Sequence, residues 1–523
     1  MRITNNITQG RYLDGNNRSQ TSMLKSYTRI ITQRRFNRVS EDPINGSKAL
    51  IVRRQLRDLT NYKSNLNTAK ELFNAAETNL NKVAHDLYIK IEEDLVSAGN
   101  GTHDDQELKI YATSLEQTAE AMVDTINGDF SERQIFGGTN NSVTPFRYGS
   151  VIARNSAGDV VYPPYFDKYY TDNGDGTVSL KENVKFDDVP KSVTYNDVPV
   201  DFNAVGDMVF TDGTIGRIKA DTYSVYVFND VKDIAKKSPT EVEISQESID
   251  EAVAGKDNSK IFPGSKSIYI DIGIGVKYDK NYEMDPQTAL DISLNGAAIT
   301  GSGVTLTDDW LKNNTEVVNG VRQIKETETY VGEKQAMKHF GVSTVEELEA
   351  KMAEKGWEIK TVTGPIEADN KVDVVDGEVK RYQIKYKDFS GIYSNNLMQI
   401  TFDSFSALKD GGYNSTMTNF DYDDKQNTKN GDQAYVNGAI DKANLANRKI
   451  LTAITDLGSK QNSIEFYETK IESYEFNLSE RQNLVEGTDL KEEISNYYNI
   501  RSAYEAWLKI GTQIIPNSIF NFI

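Results

Sequence analysis

The sequence predicts an α+β multidomain protein in which a long-helix, coiled-coil-like bundle is built from both termini. A β-rich region of one or two domains is inserted between them. Three observations predict it. Residues 50–98 carry an apolar stripe whose spacings alternate between three and four, and a second stripe of the same kind runs from about Asn437 to Leu478. Between them the pattern changes to period-two alternation and turn-forming pairs. At 523 residues the chain can bury more than one core.

Taken in order, residues 1–30 are rich in Asn, Thr, Ser and Arg, and their apolar stripe, Leu24, Tyr27 and Ile31, is thin. Alone, they bury too little apolar area to offset the entropy of ordering. The stretch RRFNRVSEDPINGSKAL at 34–50 then breaks one helical pattern and starts another. Pro43 disfavours helix at Asp42 and suits the first turn of a new helix, and Asp42 is placed to cap it. The stripe that follows is Leu59, Tyr62, Leu66, Ala69, Phe73, Ala76, Leu80, Val83 and Leu87, continued by Ile91 and Leu95. From Ser47 to Ser97 such a helix is about 75 Å long, more than a compact domain covers, so a partner helix is expected alongside. GNGTHDD at 99–105 ends it, and a second helix is expected from about Asp105 to Asn127 as its antiparallel neighbour.

The centre, roughly 147–430, reads as β-rich. SIYIDIGIGV predicts a strand over 267–276, TYSVYVF another over 222–228, and Asn173-Gly174 and Asp175-Gly176 predict turns. A small α+β piece is expected at 305–390. Its helix opens with a Ser343/Glu346 capping box and closes at Gly356. The C-terminal stripe is Ile450, Ile454, Leu457, Ile464, Tyr467, Ile471, Tyr474 and Leu478, with Gln461 as a polar, register-fixing exception. EGTDL at 486–490 interrupts it, Thr488 or Asp489 can cap a restart, and a last helix runs to about Ile515 before an apolar tail.

Composition narrows the function classes. There is no cysteine, which excludes disulfides, thiol nucleophiles and thiolate metal sites. Net charge is −19, yet residues 1–57 hold twelve Lys/Arg against three Asp/Glu, and residues 465–493 hold nine acids against three bases. The acidic bulk opposes nucleic acid, so oppositely charged ends that meet each other fit better, within one chain or between two. No run is apolar enough for a membrane span, and MRITNNITQGRY lacks the apolar core of a secretory signal. His85, His103 and His339 show no metal-ligand spacing, and phosphate-loop and nucleophile-elbow patterns are missing. DNGDGT at 172–177 puts glycine at two ligand positions of a calcium loop and reads as a hairpin turn. No catalytic residue, metal or cofactor is expected. The 28 tyrosines suit packed interfaces, which bury area at low entropic cost.

MRITNN, RRFNRVSEDPINGSKAL, AGNGT at 98–102 and QIFGGTNNSVTPF at 134–146 resemble the flagellin family in order and spacing. That family's break runs Gly-Lys-Arg-Ile-Asn-Arg-Pro-Ser-Asp-Asp-Pro. Here Arg35, Asn37, Arg38, Ser40, Asp42 and Pro43 match, while Gln33, Phe36 and Val39 depart from it. Filament flagellins usually carry alanine where Pro43 stands, which favours members at the hook–filament junction. SAYEAWLKIGTQIIPNSIFNFI is similar to the family's C-terminal helix and tail, where Tyr504, Trp507, Ile514, Ile515, Phe520 and Phe522 would serve assembly. The likeness covers about 1–146 and 437–523.

The resemblance implies an extracellular structural subunit of the bacterial flagellum, exported unfolded by the flagellar type III apparatus without a cleavable signal. It would join a hook-side adaptor protein to the flagellin filament as a homo-oligomeric ring, and be a monomer in solution with an export chaperone. It would bind neither nucleic acid nor membrane. The domain reading that goes with it is an assembly segment at 1–45, disordered until assembly, and helical core halves at 46–146 and 431–485. The insert occupies 147–430 and an assembly helix with tail 486–523. Filament flagellin itself, or a binding module or enzyme displayed in the insert, stays open as an alternative.

Overall fold

A computed structural model describes residues 2–100, 105–155, 160–162, 169–173, 178–182, 184–186, 189–201, 208–211, 215–218, 222–228, 240–245, 267–273, 276–278, 280–281, 284–285, 288–305, 312–318, 321–340, 342–366, 375–387, 393–409 and 425–514. The fold is of the expected class, with long terminal helices and several small sheets between them. Two compact units divide the chain, one of residues 1–68, 271–290 and 462–523, the other of residues 69–270 and 291–461.

The first unit holds α1 (Arg2–Thr32), the start of α2 (Pro43–Asn81), the end of a 62-residue helix over Lys425–Glu486, and the last helix, Leu490–Ile514. α1 runs antiparallel to the last helix, with Tyr12 against Trp507 (ring centroids 5.9 Å apart) and Tyr27 against Tyr497 (6.2 Å). Close approach is built in at Gly511, where a Cβ would lie 2.0 Å from the Tyr12 hydroxyl. The sequence reading leaves residues 1–30 to be ordered by neighbouring subunits. In this structure they form α1, and the missing apolar partner comes from the same chain.

The second unit holds the end of α2, a π-helical turn at Lys82–Leu87, α3 (Tyr88–Gly99) and α4 (Asp105–Ile126). The wide turn adds a residue to the repeat and rotates the stripe behind it, so Tyr88 is buried and Leu87 only half-buried. On α4, Leu108, Ala112, Leu115, Ala119, Met122 and Ile126 are all buried, as a core-facing stripe requires. Past α4, the Asn127 side-chain amide brackets the backbone of Phe146, donating to its carbonyl (2.8 Å) and accepting from its N–H (3.0 Å).

The main sheet of this unit is antiparallel and centres on β1 (Phe146–Asn155), which pairs with β2 (Val160–Tyr162), β3 (Ser192–Tyr195) and β5 (Thr222–Phe228). β4 (Val198–Pro199) and β6 (Thr240–Ser245) extend it at either end. Tyr170–Asp172 pairs with Val178–Leu180 as a hairpin, and turn residues 174–177 lie outside the described residues. Further on, β7 (Glu326–Val331), α5 (Glu333–Phe340), α6 (Val345–Lys355), β8 (Ile359–Ile366) and β9 (Val375–Lys387) form a three-stranded sheet with two helices. Phe340, Leu348, Met352 and Tyr382 fill its core.

Three local expectations are corrected. Among the described residues of SIYIDIGIGV the strand is Tyr269–Ile270 alone, which pairs with Leu290–Asp291, and Gly273 beyond it turns away at φ +67°; Ile274 and Gly275 lie outside the described residues. The capping box sits one residue later than expected. Thr344 caps the Glu347 N–H (3.3 Å), Glu347 accepts from the Ser343 N–H (3.2 Å), and Gly356 ends the helix at φ +67°. A helix inside the insert went unforeseen: α7 (Leu397–Lys409) is buried on nearly every side. A helix buried all round, with Gln399, Thr401 and Ser404 buried alongside its apolar residues, has no single apolar stripe to read.

Candidate assembly site at the paired helix breaks

In the first unit the two helix interruptions, 33–42 and 487–489, lie side by side. Arg34 and Gly487 form an antiparallel bridge, the Arg35 N–H donates to the Glu486 carbonyl (2.6 Å), and the Thr488 N–H donates to the Gln33 carbonyl (3.1 Å). Gln33 reaches this geometry at φ +55°. Each break therefore satisfies backbone groups that the other leaves open.

Each helix restart is capped by an aspartate. The Asn45 N–H donates to Asp42 Oδ1 (3.1 Å) and its amide to Oδ2 (2.7 Å), so Asp42 caps the helix that Pro43 begins. These bonds to Asn45, the backbone one first, hold the Asp42 carboxyl below its usual range. Asp489 accepts from the N–H groups of Lys491 (2.9 Å) and Glu492 (3.2 Å) and caps the last helix. Asn37 donates its N–H to Glu41 (3.0 Å), which draws the Glu41 carboxyl down.

The centre of the joint is Glu486. Its carboxylate is 3% exposed and accepts both donors of the Arg53 guanidinium at 2.6 Å, with Arg34 at 3.7 Å. A planar fork on a carboxylate is the pairing that suits partial burial, and it raises the Arg53 pKa further. Lys63 reaches Glu472 at 3.4 Å and Glu475 at 3.8 Å. The basic start and acidic end of the chain thus meet within one chain. Arg53 is the functional residue that sequence reasoning missed. The signal for it was the charge asymmetry itself, which named no pair.

The structure puts Leu59, Leu66, Phe73, Leu80, Val83, Ile450, Leu457, Ile464 and Ile471 in buried positions, and Tyr62, Leu87, Ile454 and Leu478 in half-buried ones. Ala49 and Val52, outside the sequence-derived stripe, are buried too. Gln461 donates to Asn74 and Glu77, each at 2.9 Å, so the polar exception finds polar partners. Of the break motif, Arg35, Asn37, Arg38, Ser40 and Pro43 are exposed and Asp42 is half-buried. Tyr504 and Trp507 are half-buried on the last helix, while the Ile514 side chain and Ile515, Phe520 and Phe522 lie outside the described residues. In the first unit a strap of residues from 271–290 lies on α2. The Asn65 amide donates to the Asp271 carbonyl (2.9 Å), and Gly273 packs so close to the Tyr62 ring that a Cβ would lie 2.0 Å from it. Among the described residues no group of three or more metal-ligating side chains occurs, and no helix is long and apolar enough to cross a membrane.

Residues 3–141, which include the first break, match the family model described as the bacterial flagellin N-terminal helical region. In sequence the chain is similar to flagellar hook-associated protein 3 of Salmonella typhimurium, with 26% identity over 147 residues. That match spans 28% of this chain and 46% of the relative, less than half of its length. Similar solved structures include FlgL of Xanthomonas campestris (13% identity, TM-score 0.31, 82% of this chain and 98% of that one). Another is flagellar hook associated protein-3 of Legionella pneumophila (10% identity, TM-score 0.31, 83% and 98%).

Proposed function

We propose that this chain is a structural subunit of the bacterial flagellum, placed at the junction between hook and filament, and that it works through subunit contacts rather than catalysis. The observation that carries this reading is the joint. A flagellin-type N-terminal region packs antiparallel on the C-terminal helices, and both breaks are locked together by Arg53, Glu486 and the two backbone hydrogen bonds of the Arg34–Gly487 bridge. Such a joint holds the α1 pair as a separate arm that can engage neighbours while the helical core stays formed. Pro43 and the similarity to a hook-associated protein favour the junction over the bulk filament. The partners are flagellin on one side and a hook-side protein on the other. The subunit is exported unfolded with a chaperone, is a monomer in solution and becomes a ring when assembled outside the cell. The absence of cysteine suits passage through an export channel, since no disulfide can trap the chain.

Seeded polymerisation tests this. Purified chain is mixed with short filament fragments or with hook fragments, then sedimented and imaged by electron microscopy. Capping of hook fragments followed by acceptance of flagellin is the expected result. Long filaments made from this chain alone would identify a filament flagellin instead.

A further inference from the structure

The first unit leaves two unlike helix faces bare. On α2, Ile44, Leu50 and Ile51 are 71%, 51% and 58% exposed, and exposed Lys48, Arg54 and Arg57 stand among them. On the end of the 62-residue helix, Phe466, Phe476 and Leu484 are 64%, 71% and 74% exposed, with exposed Glu465 and Glu480 beside them and half-buried Lys470 and exposed Arg481 at the border. Phe466 and Leu484 are eighteen residues apart, five full turns, so they stand in one line on that helix. Arg53, which faces Glu486, takes no part in the basic face. Single exposed apolar residues are ordinary, but several large ones on the solvent side of one short helix segment, set among charges, mark an interaction surface.

Neither face suits its own image, because base would meet base and acid would meet acid. Against each other they match in both charge and apolar content. Every copy of the chain carries one of each. We propose that, in the assembly on which the preceding reading rests, the acidic aromatic face of residues 465–484 of one copy seats on the basic aliphatic face of residues 44–57 of the next. A contact between two different patches is heterologous, and it repeats as a ring or a tube instead of closing as a two-fold dimer.

The cysteine-free chain allows a direct test. Leu50→Cys and Phe476→Cys are made as separate full-length proteins, mixed at low ionic strength and treated with copper phenanthroline. Each thiol gives up a proton and one electron to that oxidant, and one S–S bond forms per pair. A second pair, Ile51→Cys with Leu484→Cys, covers an unfavourable geometry at the first. The expected result is a mixed disulfide about tenfold more abundant than either self-pair, or than Leu50→Cys mixed with Ser22→Cys, a preference of about 1.4 kcal/mol. It should fall steeply between about 0.01 M and about 1 M salt, as the Debye length shrinks from ~30 Å to ~3 Å. Arg54→Glu with Arg57→Glu should abolish it, and Glu465→Lys with Glu480→Lys on the partner should restore it. Mixed disulfide at the Ser22 control level, or an excess of the Leu50 self-pair, overturns the proposal. Uptake of the chain onto hook fragments without the mixed disulfide overturns this contact alone. The mixed disulfide without such uptake keeps the contact and overturns the flagellar reading.

Discussion

Replacing Arg53 with Met tests the joint most directly. Glu486 is 3% exposed, so the variant strands a carboxylate that has lost both of its 2.6 Å donors and keeps only Arg34 at 3.7 Å. Breaking a buried pair in this way costs about 3–5 kcal/mol. Arg53 is itself 37% exposed and Arg34 can move closer, so the lower end applies, about 3 kcal/mol. For a unit of about 150 residues each kcal/mol shifts the melting temperature by roughly 2–4 °C, so a drop of roughly 6–12 °C is expected in the transition of the first unit. Calorimetry follows that transition, and amide exchange at Arg35 and Thr488 should accelerate with it. The double variant Arg53→Met, Glu486→Met removes both charges and should return to within about 1 kcal/mol of the parent. A single variant that melts within about 1 °C of the parent would show that the pair holds nothing together, and the joint would lose its central argument.

Other perturbations reach different parts of the chain. Asp201 is buried, burial pushes its pKa up to about 6, and its Oδ1 has no hydrogen-bond partner among the described residues. The folded state then holds a proton that the unfolded state releases near pH 4, so stability should fall as pH rises from about 4 to about 6. Asp403 is also buried and raised, by burial first and then by the Asp201 charge, so Asp201→Asn should shrink that limb without removing it and raise stability at pH 7 by about 1–3 kcal/mol, read from melting at pH 5 and pH 8. Gly273→Ala puts a Cβ into the Tyr62 ring at a left-handed φ, and should free the 271–290 strap at a cost of about 1–3 kcal/mol. Limited proteolysis within 271–290 measures it, and unchanged cleavage would contradict the contact. Pro43→Ala should leave melting within about 0.5 kcal/mol, because Pro43 is exposed at the first helical position, yet reduce uptake onto hook fragments. Normal uptake would remove the role given to that break.

Long-range order was most legible where one physical rule dominated. The three-four spacing from Leu59 to Leu95 identified side chains that lie on the buried side of their helices, because a single apolar face leaves a period. The cap at Asp42 was readable because Pro43 fixes where a helix can begin. The Ser343/Glu346 box was misplaced by one residue because STVEE holds two overlapping boxes, and backbone geometry chooses between them. Of the expected strand at 267–276 the described residues keep only Tyr269–Ile270, since alternation says nothing about how far a partner strand runs, and α7 was invisible since burial on all sides erases periodicity. The Arg53–Glu486 fork joins positions 433 residues apart, and local pattern carries no trace of such a pairing.

The bridge between Arg34 and Gly487 ties the lengths of two distant segments together. Deleting one residue from 33–42 would slide Arg35 off the Glu486 carbonyl and turn α2 by about 100°, carrying Arg53 away from its carboxylate. A matching change at 487–489 would be needed to bring the bonds back into step. In a library of single-residue insertions and deletions, the two breaks should therefore be as intolerant as the core, although both are surface loops, the usual place for length variation. Revertants of a deletion in one loop should map to the other, more than 440 residues away along the chain.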